Sequence, residues 1–180
     1  MGIFLSILTA LPEAIKISGF LLHRKNSIVG TWVYIAYEDS LCESEWVYVV
    51  LKIQKAFVRG IGGYTMDGHA YFPTKEAGGF YRQKDALSSM LCQLDNTKLP
   101  FVCIVNDTYN ETAILGELSF QKPPRKKSPT YFGGHYKSDA NKKIRPVHGI
   151  KLSNRAKLEN DYEILDNLIP KLQSRNKSAK

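Results

Sequence analysis

Cysteine is scarce in this chain and forms no framework. Cys42, Cys92 and Cys103 are odd in number and lack the spacing of metal ligands. A disulfide scaffold and a zinc site both fit poorly, and reduced thiols, with Cys92 and Cys103 in strands, suit a cytosolic protein. Catalytic signatures are missing too. There is no Gly-x-Ser-x-Gly, no His-Glu-x-x-His and no carboxylate pair at an obvious spacing, which sets aside the corresponding hydrolases and metalloproteases. His23, His69, His135 and His148 are scattered. The last two fall on neighbouring expected strands but lack further ligands. The expectation is a non-enzyme with no metal and no cofactor.

Acidic residues are rare in one stretch. Between Gln121 and Lys157, Asp139 stands alone against eleven Lys or Arg, while the whole chain carries +8. The remainder is therefore near neutral, and one wall or end of the fold is basic. A solvated surface is the plain reading; a site for nucleotide, nucleic acid or acidic lipid is the sharper one. Tyr131, His135 and Tyr136 lie among these cations, and aromatic faces stack on bases while cations meet phosphates.

What the chain does have is strand signal. It is 180 residues long and 43% apolar, with ten Tyr, eight Phe and two Trp, enough for one domain plus appendages. From Ile28 to Leu152, short apolar and aromatic runs alternate with turn signals, and no helical pattern separates them. Val47, Val49, Leu51 and Ile53 alternate with Tyr48, Val50, Lys52 and Gln54, the period of a half-buried strand. Phe57 to Met66 reads as the next strand, with a hairpin turn expected at Asp67-Gly68. Gly60, Gly62 and Gly63 lie within that run and mark a bulge or bend. The block is mainly β: an antiparallel meander closed into a small lipocalin-like barrel of about eight strands, because closure removes exposed edges.

Two segments flank it. In Ile3–Leu22, Ser6, Thr9, Glu13 and Lys16 share one helical face and Phe4, Leu8, Leu11 and Ile15 another, with Pro12 between. Four readings compete: a helix packed on the barrel, one lying on a membrane, one spanning it with its polar stripe toward other copies, and a signal peptide. At the other end, Leu158, Tyr162, Leu165, Ile169 and Leu172 form one apolar stripe, the pattern of a C-terminal helix. The organisation expected is residues 1–27 as an N-terminal amphipathic helix, 28–152 as the barrel, and 153–180 as a C-terminal helix with a basic tail.

Gly30-Thr31-Trp32 opens the first strand, Arg59-Gly60 follows, and Tyr131-Phe132-Gly133-Gly134-His135-Tyr136 precedes Asp139 and Gly149. In these features the chain resembles the β-barrel effectors of bacterial cyclic-oligonucleotide anti-phage signalling (CBASS), the two-transmembrane, β-strand-rich family. The resemblance covers the barrel. It implies a sensor of a cyclic di- or oligonucleotide that forms homo-oligomers and acts on the inner membrane, in the bacterial cytoplasm or at that membrane's cytoplasmic face. Such effectors carry two spans before the barrel, whereas this chain has one apolar segment holding Pro12, Glu13 and Lys16. On the sensor reading, ligand enters the basic mouth and meets Arg59, Tyr64, Tyr81, Arg82, Tyr131, His135, Tyr136, Lys143 and Arg145, while Ser6, Thr9, Glu13 and Lys16 form the membrane or oligomer stripe of residues 3–22. The alternative is a lipocalin-like binder of a small apolar ligand, or a protein-interaction module. A nucleic-acid partner would need an open basic groove instead.

Overall fold

The computed structural model describes residues 27–38, 41, 45–73, 80–106, 111–121, 128–140, 142–154, 161 and 165. Eight strands follow one another: β1 (Gly30–Tyr37), β2 (Glu45–Val58), β3 (Ile61–Pro73), β4 (Phe80–Ser89), β5 (Lys98–Asn106), β6 (Glu111–Phe120), β7 (Tyr131–Ser138) and β8 (Ile144–Ser153). Each pairs antiparallel with the next, and β8 closes on β1. The expected meander of about eight strands is therefore a closed barrel with no free edge.

Period-two patterning decides which side chains enter the barrel. On β2, Val47, Val49, Leu51 and Ile53 point inward, as their alternation requires. They join Trp32, Tyr34 and Ala36 of β1 and Phe120, Phe132 and Tyr136 from the far wall. β1 is buried on both faces. Its outward residues Val33, Ile35 and Tyr37 pack with Tyr48, Val50 and Tyr71 in a second apolar cluster, which Leu165 covers. Leu165 belongs to the apolar stripe expected for the C-terminal helix. Asp161 and Leu165 are both helical and both buried; the other stripe residues, and all of residues 3–22, lie outside the described residues.

One turn falls elsewhere than expected. β3 runs straight through Asp67 and Gly68, which pair with Lys52 and Leu51. The reversal occurs at Arg59-Gly60, whose φ angles are 50° and 81°. A two-residue hairpin turn of this twist needs positive φ at both positions, and Gly60 meets that at no steric cost. Gly60 is thus a turn residue, outside any strand. Asp67 serves instead as a cross-strand partner, accepting from the Gln54 side-chain amide at 3.1 Å. Residues 80–89 form one continuous strand, β4. Cys103 lies on β5, but Cys92 lies beyond β4, in a bridge to Tyr64; both are free and buried.

Pairing around the wall is uneven. β2 and β3 match at eleven positions and β4 and β5 at four. The short seam includes Leu87 opposite Val105, and both residues face the internal space described next.

Candidate functional site

The two ends of the barrel differ. At the end where β1 begins, the lumen is filled by aromatic rings. Trp32 lies 5.2 Å from Phe120 and 5.3 Å from Phe132, centroid to centroid, and those two are 5.5 Å apart. Tilted and edge-on contacts of this kind are favourable beyond the area they bury. The Trp32 indole N–H donates to the Ile28 carbonyl at 2.8 Å, so burial leaves no polar debt. Lys151 lies over the Trp32 ring at 5.4 Å and donates to the Ser27 carbonyl at 2.9 Å. This end is plugged.

Toward the opposite end lies a cavity of about 220 Å³. Every strand contributes to its lining. Val47, Val49, Ala70, Phe72, Leu87, Val105 and Ile114 make the wall apolar; Tyr34, Asp85, Tyr136, Ser138 and Arg145 make it locally polar. Arg145 is only 3% exposed. An isolated buried guanidinium is costly, so it needs an anion. Glu38, the residue after β1, supplies one: its Oε2 accepts from Arg145 Nη2 at 3.2 Å and from Nε at 3.4 Å. Its other oxygen accepts from the Lys143 ammonium. These contacts, first with Lys143 and then with Arg145, hold the Glu38 carboxyl below its usual range against some desolvation. Burial, reinforced by Tyr136 and Cys103 nearby, pushes the Tyr34 phenol well above its usual range. The inner wall therefore offers a neutral phenol near a fixed cation at neutral pH.

The residues expected to bind ligand divide by location. Tyr136 and Arg145 line the cavity; Lys143 is not part of the lining and is paired with Glu38, the same carboxylate that meets Arg145. Tyr64 points into the interior but away from this lining, with its phenol raised by burial. Arg59 sits in the β2–β3 turn, at the plugged end. Tyr131 and His135 occupy the outward positions of β7, because neighbours on a strand face opposite ways. Tyr131 is bonded through its hydroxyl to His148 Nδ1 and stacks on that ring at 6.1 Å. His135 is exposed. Tyr81 and Arg82 lie on β4, with side chains outside those described, as are Ser6, Thr9, Glu13 and Lys16.

Glu38, Tyr34, Asp85 and Ser138 were not among the residues expected. Glu38 belongs to what reads as an acidic turn, Tyr34 to an apolar strand. Asp85 is 6% exposed. The signal for Asp85 was available, since it shares the inward phase with Leu87.

No family model, curated protein or solved structure matches this chain. Among the described residues, no helix is long and apolar enough to cross a membrane, and no group of three or more His, Cys, Asp or Glu is placed to hold a metal ion.

Proposed function

We propose that this chain is a lipocalin-like binding protein that takes one small ligand, with an apolar body and an anionic head, into the barrel through the end opposite Trp32. The observation that carries this reading is the cavity itself: apolar walls, one plugged end, and buried Arg145 on its lining. Binding sites of this kind combine mostly apolar surface with a few fixed polar groups. Size bounds the ligand. An apolar cavity of about 150 Å³ holds a benzene-sized molecule, so 220 Å³ suits a short chain or a single ring with its head group.

A second reading keeps the nucleotide sensor of the CBASS resemblance, with oligomerisation and membrane action through residues 3–22. It is favoured by Lys143 and Arg145 at the mouth and by the local excess of cations. On this reading a cyclic dinucleotide, which is larger than the cavity, binds across the mouth.

Thermal unfolding of the full chain with hexanoate, octanoate and cyclic dinucleotides separates the two. Ligand that binds the native state raises apparent stability. A dose-dependent rise with the acids and none with nucleotides supports the small-ligand reading. The reverse, with the rise weakening as salt is added, replaces it with the sensor. No rise with either class sinks both.

A further inference from the structure

The Glu38–Arg145 pair is asymmetric. The guanidinium is almost wholly buried on the cavity lining, whereas the carboxylate that meets it is 36% exposed and reaches it from the solvent side. Glu38 follows the last paired residue of β1, so its side chain can leave without breaking the sheet. Both oxygens are occupied by cations: Oε2 by two N–H groups of Arg145, Oε1 by Lys143. This is the arrangement any carboxylate would adopt there, since a planar guanidinium offers paired donors to carboxylate geometry.

We propose that Glu38 is an internal stand-in for the carboxylate of the ligand, and that the barrel's ligand is a small monocarboxylic acid whose head displaces Glu38 from Arg145 and Lys143. The inference rests on the cavity reading above and adds to it the head-group class and the competition. Arg145 positions the head at the cavity wall, Lys143 pairs with it as it does with Glu38, and the apolar body lies toward Val49, Leu87 and Ile114. The buried cation is matched by an anion in both states, so exchange leaves no uncompensated charge inside. The cost is paid in affinity: while Glu38 occupies the site, only the fraction of molecules in which it has swung away can bind.

Titration calorimetry on the full chain tests this with two ligands of one body, octanoate and octanol. In Glu38→Gln, octanoate is expected to bind roughly tenfold tighter or better, because the competitor is neutralised, while octanol affinity stays unchanged. In Arg145→Met, the preference for acid over alcohol is expected to vanish. A second readout uses the unmutated chain. Bound octanoate should return the Glu38 carboxyl toward its ordinary titration range, followed by carbon-13 NMR, because its cationic partners are then taken. Equal or weaker octanoate binding in Glu38→Gln, or a Glu38 titration unmoved by ligand, overturns the inference while octanol binding leaves the cavity reading intact. No binding of acid or alcohol by any variant overturns both.

Discussion

The Phe132 ring occupies the space that a side chain at position 149 would need. The two residues are paired across β7 and β8, and a Cβ built on Gly149 would lie 2.3 Å from Cζ of Phe132. The ring has nowhere to retreat, since Trp32, Tyr34 and Phe120 surround it at 5.3, 5.9 and 5.5 Å.

Gly149→Ala should therefore destabilise the barrel by about 1–3 kcal/mol, the range for overpacking a full core. Urea unfolding of the variant reads this directly. Pairing it with Phe132→Leu should recover part of the loss, because the double variant removes the clash; simple addition of the two losses would show that the contact is not its source.

Lys151 is held over Trp32, and burial pushes its ammonium down to about 8 from 10.5. Between those values the unfolded chain carries more protons, so stability rises with pH. The buried thiols Cys92 and Cys103, raised above 9.0, act in the opposite sense above that pH. The comparison to make is wild type against Lys151→Met at pH 7.5 and pH 9. The wild type should gain stability relative to the variant, and an unchanged difference would refute the assignment.

His148 is half-buried between Tyr131 and Tyr37, and burial lowers its pKa from 6.5. The unfolded chain then takes the proton first, so stability falls as pH drops below about 6.5. The urea midpoint should be lower at pH 5.5 than at pH 7. His148→Gln should flatten that slope, and a slope that persists would point to another group.

Asp161 ties the C-terminal segment to the barrel wall. Its Oδ2 accepts from the Tyr71 hydroxyl at 2.5 Å and lies 2.9 Å from His69 Nδ1. Asp161→Ala removes a buried carboxylate acceptor and should cost about 1–3 kcal/mol. Limited proteolysis should cut residues 155–180 faster in this variant; cleavage at the wild-type rate would refute a tethering role for Asp161.

Strand content and facing were legible where alternation was strict. Val47 to Ile53 named its own inward face, because a strand turns each neighbour through half a revolution. Of the stripe expected at the C-terminal end, only Leu165 is among the described residues, buried against the outer face of β1. Asp67-Gly68 misled, since a good turn dipeptide is only a local preference, and eleven paired positions between β2 and β3 outweigh it. The motif Tyr131–Tyr136 misled in another way. Adjacency in sequence placed His135 beside Tyr136, yet alternation sends one outward and the other into the cavity.

By itself, then, the sequence determined the strand-rich class, the inward phase of β2, the aromatic opening at Trp32 and the local excess of positive charge, all of which follow from short-range periodicity and composition. Only the tertiary structure decided which residues form a site. Glu38 and Arg145 are 107 residues apart, and no local rule joins them. They meet because β8 closes on β1, and closure is a property of the whole sheet: eight consecutive pairings, each with its own register, add up to the one geometry that sets a half-exposed acid against a buried base at the mouth.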